Sequence, residues 1–139
     1  ELSKNPEDVA IIDFDLNNLK YTNDTFGHSA GDLYIKNCAT IIDEIFDGIG
    51  KCYRVGGDEF VVLIEKASAV DIPHYMAMLE ANVDACNREN RKLRMQIAYG
   101  YAIFMADTDK NLEDTYNRAD KIMYANKKDK KEQQKFERL

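Results

Sequence analysis

Residues 54–63 read RVGGDEFVVL, setting two adjacent acids, Asp58 and Glu59, behind two glycines and ahead of a strand-like apolar run. Two more acids, Asp13 and Asp15, interrupt the apolar stretch VAIIDFDL at 9–16. If these stretches are neighbouring strands, their ends bring carboxylates together. Such oxygen clusters suit hard divalent cations; magnesium takes one or two protein carboxylates and completes its shell with water and substrate phosphates. Side chains alternate along a strand, so Asp13 and Asp15 share a face, whereas Asp58 and Glu59 point the same way only if the turn distorts them. Acids are also common at hairpin tips as ordinary turn chemistry, and taken alone these four leave that reading open.

The elements that must position the acids follow from the hydrophobic pattern. Residues 1–7 are polar, contain Pro6 and read as an entry loop, and 9–16 form a first strand. NNLKYTNDTFGHSAGD is turn-rich, and from Ser29 onward Leu33, Ile35, Cys38, Ala39, Ile42, Ile45 and Phe46 recur at helical spacing, with Ser29 as cap and an end near Gly48. KCYRV and FVVLIE are strand-like runs joined by GGDE, whose glycines permit the positive φ of a tight hairpin. Asp71 opens a helix with Pro73 in its first turn, an apolar face of Tyr75, Met76, Leu79, Val83 and Cys86, and an end near Arg91. RMQIAYGYAIF is a strand, and 112 to about 131 is a last helix carrying Tyr116, Ala119, Ile122, Met123 and Ala125. This order predicts an α+β fold, an antiparallel-rich central sheet flanked by helices, in a single domain over 1–139.

At 139 residues, 45% hydrophobic and 32% charged, the chain can bury a core. No apolar run approaches the roughly 18 residues of a membrane span and no leader opens the chain, so a cytoplasmic domain without membrane contact is expected. Cys38, Cys52 and Cys86 lack metal or redox spacing and read as reduced core residues. The net charge of -6 argues against a nucleic-acid polymer as ligand. From Arg118 onward, however, eight Lys and Arg stand against four Asp and Glu, a basic end able to hold phosphates or simply a solvated helix.

GGDEF between two strands, preceded by DLNNLKYTNDTFGHSAGD and followed by NRADKIMYANK, resembles the GGDEF family of bacterial diguanylate cyclases, in three blocks spanning nearly the whole chain. The resemblance implies a βααββαβ core like the palm of nucleotide cyclases and polymerases. It implies GTP as substrate and two magnesium or manganese ions per half-site, held by Asp15, Asp58 and the carbonyl of Leu16. Asp15 is chosen over Asp13 because the family's metal Asp lies eight residues before its guanine-binding Asn, here Asn23; Asp13 then falls at a usually apolar position and is read as a bystander. Asn23 and Asp32 match the guanine-reading pair, and the carboxylate suits the N1 and N2 hydrogens of that base. Lys20 matches a lysine near the phosphates, and Asn18 and Leu19 the backbone N–H groups opening a helix toward the triphosphate. Lys127 and Lys131 match two basic phosphate contacts, with Lys131 replacing the usual Arg and losing its bidentate fork. Glu59 is a candidate base, or a metal or lysine partner. His28 is read as structural, His74 has no role, and Tyr99 and Tyr101 are read as sheet packing.

The implied reaction condenses two GTP into cyclic di-GMP across a two-fold homodimer. A sensor or regulatory domain is expected outside this chain, which reads as a piece of a longer bacterial signalling protein, with or without a membrane anchor elsewhere. The rival reading is a non-catalytic GTP-binding or protein-interaction module, whose members usually have a broken signature. Two departures stand out: Asn17 where many relatives carry a second Asp, and DGIG at 47–50 in place of the Arg-x-x-Asp of the product-inhibition site, so no feedback through that site is expected.

Overall fold

The structure is a computed structural model that describes residues 7–90 and 94–137. The entry segment with Pro6 and the expected helix end at Arg91 lie outside the described residues. The order is β1 (Ala10–Asn17), α1 (Leu19–Phe26), α2 (His28–Phe46), β2 (Lys51–Arg54), β3 (Glu59–Ile64), a 3-10 turn (Ala67–Ala69), α3 (Ile72–Glu89), β4 (Gln96–Ile103) and α4 (Leu112–Glu137). The strands make one antiparallel sheet in the order β2-β3-β1-β4, the α+β architecture expected from the pattern. No helix among the described residues is long and apolar enough to cross a membrane.

Pleating sorts the side chains of the central strand β1. Ala10, Ile12, Phe14 and Leu16 enter the main core with Tyr34, Cys38, Ile42 and Phe46 of α2 and Met76 and Leu79 of α3. Ile11 packs instead with Ala119 of α4, so the alternate positions Asp13 and Asp15 also face α4. β3 follows the same rule, with Phe60, Val62 and Ile64 in the main core and Val61 and Leu63 beneath α4.

Gly100 of β4 lets α4 lie directly on the sheet. A Cβ there would stand 2.2 Å from the Met123 backbone nitrogen and 2.5 Å from the Ala119 carbonyl oxygen. Near its start α4 is held by Arg118, which donates to the Ile103 carbonyl at 2.7 Å and to the buried carboxylate of Asp109. Asp109 also accepts the Thr115 hydroxyl at 3.0 Å, and the guanidinium beside it holds its carboxyl well below the usual range.

Several local expectations are corrected. Ser29 lies inside α2 and does not cap it; Gly27, at φ 93°, caps the end of α1 through its N–H to Asn23 and also precedes α2, leaving no separate cap residue. In the hairpin, Gly56 and Gly57 do not adopt positive φ, which among glycines occurs at Gly27 and Gly48. Arg54 pairs with Phe60 and Val55 N–H bonds the Glu59 carbonyl, so the connection is longer than a two-residue turn and does not need that conformation. Arg54 instead ties the turn, donating to the carbonyls of Gly56 at 3.1 Å and Gly57 at 2.9 Å. α4 runs past residue 131, and Ile122 is 50% exposed because Ala119 and Met123 form the stripe that meets the sheet. The Asp71 cap is as expected, accepting from His74 N–H at 3.3 Å, and the three cysteines are free.

Because the atoms meeting a Cβ at Gly100 are helix backbone, Gly100→Ala should cost about 1–3 kcal/mol in urea unfolding, the usual scale of overpacking. A change below about 0.5 kcal/mol would contradict this seating of α4.

Candidate active site

Asp15 lies two residues before the end of β1, with its side chain largely sheltered. Its Oδ2 accepts from Lys127 Nζ of α4 at 2.8 Å, while Oδ1 is shielded from water and meets no donor. The hairpin tip is stitched to this strand end, because the Leu16 N–H donates to the Asp58 carbonyl at 2.9 Å. The Asp58 carboxyl, although its residue is exposed, sits close enough to Asp15 to be pushed above the usual range. Partial loss of water contributes most, the Asp15 charge next, and Lys127 pulls the other way. Asp15, Asp58 and Lys127 therefore come together, from a strand, a turn and a helix.

Glu59 faces a different neighbourhood. It is opposite Asp15 in register, and its carboxylate accepts the Tyr116 hydroxyl of α4, whose own pKa is raised by burial and by that bond. Carboxylate oxygens of Glu59, Asp13 and Asp120 lie within 4.8 Å of one another. Asp13 is 0% exposed and neither of its oxygens meets a donor. Its pKa is pushed up to about 10, first by burial and then by Glu59 and Asp120. Asp13 is thus a buried acid packed among acids, apart from the Asp15 and Asp58 pair. Asp120 and Tyr116 were missed by sequence reasoning, although their i, i+4 spacing, with Lys127 seven residues beyond Asp120, places them on one helical face. Asn17 is also buried, donating from Nδ2 to Gln96 Oε1 at 2.8 Å while its own Oδ1 has no partner.

Asn23 of α1 lays its amide against Gly31 of α2, the residue before Asp32. A Cβ at Gly31 would fall 1.6 Å from Asn23 Oδ1, so only glycine leaves the amide its place beside the first turn of α2. Asp32 lines a pocket of about 330 Å³ together with Ile35, Lys36, Ala39, Arg54 and Phe60. Arg54, too, was missed as a pocket residue, since its place depends on how the hairpin folds back.

Asn18 adopts the left-handed conformation at φ 68°, tolerated by its short polar side chain, and its carbonyl accepts both the N–H and the hydroxyl of Thr22. Leu19 and exposed Lys20 open α1 from there. Lys131 is exposed one turn beyond Lys127. His28 and His74 are exposed, the latter against the Tyr75 ring. Tyr99 and Tyr101 pack on the main core, with Lys130 Nζ 5.0 Å from the Tyr99 ring centre.

The sequence profile described as "Diguanylate cyclase, GGDEF domain" matches residues 1–133. Diguanylate cyclase A of Treponema denticola is 28% identical over 123 residues, 87% of this chain and 33% of that protein. Diguanylate cyclase DgcS of Shewanella oneidensis is 30% identical over 116 residues, 84% and 38% of the two chains. The chain spans about a third of the length of these curated relatives. In fold it is similar to the GGDEF domain of DgcB from Caulobacter crescentus, solved in complex with c-di-GMP, with a TM-score of 0.76, 22% identity and coverage of 91% of this chain and 76% of the other.

Both Asp13 and Asp58 hold a proton more tightly in the folded protein than an ordinary carboxyl does, so stability falls as pH rises through the interval above about 4. In chelator-containing buffer, the thermal midpoint should be higher at pH 5 than at pH 8, and Asp13→Asn should flatten the profile. A midpoint that climbs over this interval would contradict the assignment.

Proposed function

The chain belongs to the GGDEF family of diguanylate cyclase domains, and from that premise we propose that it condenses two GTP into cyclic di-GMP and two pyrophosphates. The observation that carries this reading is the meeting of Asp15 and Asp58 at the junction of β1 and the hairpin, under the ammonium of Lys127. The 3'-hydroxyl of one GTP attacks the α-phosphorus of the other, the bond to the pyrophosphate oxygen breaks, and the reciprocal attack closes the ring.

The donor set fits magnesium or manganese. Asp15 Oδ1 is a sheltered oxygen without a partner, Asp58 beside it is a second hard donor, and the carbonyl of Leu16 is the proposed third. When bound there, two such ions would lower the pKa of the attacking hydroxyl and neutralise the triphosphate. The protein's own groups do the rest. Asp32, at the wall of the pocket, accepts from guanine N1–H and N2–H, with Asn23 beside it for the mixed edge of the base. The N–H groups at Asn18 and Leu19 and the charges of Lys20, Lys127 and Lys131 bind phosphate oxygens. Glu59 is assigned to the site's support, since its carboxylate is engaged by Tyr116.

One domain holds one GTP, so turnover requires two copies facing across a two-fold axis, as the symmetry of the product suggests. We read 1–139 as one catalytic domain of a longer bacterial signalling protein, working in the cytoplasm, with its regulatory domain outside this chain.

Product analysis with GTP and Mg²⁺, at concentrations that permit dimerisation, tests the proposal. Cyclic di-GMP should form, and Asp58→Ala should lower the rate at least about 100-fold, the scale of losing a preorganised charge-stabilising group. GTP binding and dimerisation without product would instead support the non-catalytic module. Added cyclic di-GMP should leave the initial rate unchanged, since Asp47 to Gly50 read DGIG; inhibition relieved by substitution at Asp47 would contradict that.

A further inference from the structure

Asp13 stands apart from the reaction just described and still demands a partner. It is 0% exposed, and neither carboxylate oxygen meets an N–H or O–H donor among the described residues. Its neighbours are carboxylates from two other elements, Glu59 of β3 and Asp120 of α4, all offering an oxygen within 4.8 Å of the others. The Tyr116 hydroxyl satisfies Glu59 and does nothing for Asp13. Once Asp13 gives up its proton, three carboxylates converging from a strand, a second strand and a helix repel one another unless a cation sits between them.

The spacing allows this. Oxygens bound to one calcium ion lie at most about 4.6–5.2 Å apart, and those on one magnesium at most about 4.0–4.2 Å, twice the respective bond lengths. Three oxygens all within 4.8 Å of one another are close enough to share one hard divalent cation. Asp13 is the closed wall of the site, while Glu59 and Asp120 are half-buried and leave a route to solvent.

We propose that Asp13, Glu59 and Asp120 form a separate site for one hard divalent cation, which clamps α4 across β1 and β3. The site is separate from the proposed nucleotide metals, because it uses neither Asp15 nor Asp58, and the one residue it shares with that machinery is the supporting Glu59. Its consequence is positional. The clamp fixes the helix that carries Lys127 two turns further on, and so sets the register of Lys127 against Asp15.

The test removes the other acids first. In the full chain carrying Asp15→Asn and Asp58→Asn, Mn²⁺ binding followed by electron paramagnetic resonance should retain about one ion per chain, and Ca²⁺ should compete for it. Adding Asp120→Asn, a half-buried helix position that should fold, should weaken the remaining site at least 10-fold, and adding Asp13→Asn should do the same. Mn²⁺ or Ca²⁺ should also raise the thermal midpoint of the double variant by several degrees, an increase lost with Asp120→Asn. No retained Mn²⁺ in a folded double variant would overturn the proposal. So would retained binding that ignores Asp120→Asn. Neither result bears on GTP turnover, which this experiment does not read.

Discussion

The structure depends on a conflict along one strand. β1 is central and buried on both faces, yet the face it turns toward α4 carries Asp13, Asp15 and Asn17 where an apolar run would pack most easily. Taking a carboxylate out of water costs several kcal/mol unless it is paired. Asp15 receives the ammonium of Lys127 on one oxygen only, and Asp13 receives none. Asp13 meets this cost by holding its proton, and Asp15 keeps one sheltered oxygen without a donor, so the unsatisfied polar atoms of β1 gather on the sheet–helix seam.

The other elements hold that seam in register. Gly100 brings the α4 backbone against the sheet, Arg118 pins the start of the helix to Asp109 and the end of β4, and the Leu16 to Asp58 hydrogen bond brings the hairpin tip to the strand end. Arg54 fixes the turn from inside through two of its carbonyls. On the opposite face, α2 and α3 provide the ordinary apolar core that makes such an unfavourable arrangement affordable.

Much of this was legible in the sequence. The alternation in VAIIDFDL placed Asp13 and Asp15 on one face, the helical spacing from Leu33 to Phe46 and from Tyr75 to Val83 located two helices, and the motif blocks singled out Asp15, Asp58 and Lys127, which the structure brings together. What was not legible depends on where a distant element crosses. Nothing local to Asp13 announces that Asp120 will land beside it; that follows from the position at which Gly100 admits α4. The capping role of Gly27 was hidden because two helices share one residue there, and the hairpin glycines misled because GG suggests a tight turn that the Arg54 to Phe60 register does not make. Ile122 looked like core by type and stands exposed, since the helical stripe meeting the sheet is narrow.

On the proposed function, the reacting nucleotide is organised at the junction of Asp15 and Asp58. The most direct test is anomalous diffraction from crystals soaked with Mn²⁺ and a GTP analogue that cannot be turned over. Manganese peaks are expected within bonding distance of both the Asp15 and Asp58 carboxylates, with the triphosphate beside them and the base in the pocket walled by Asp32. Nucleotide bound elsewhere, with no manganese between Asp15 and Asp58, would contradict it.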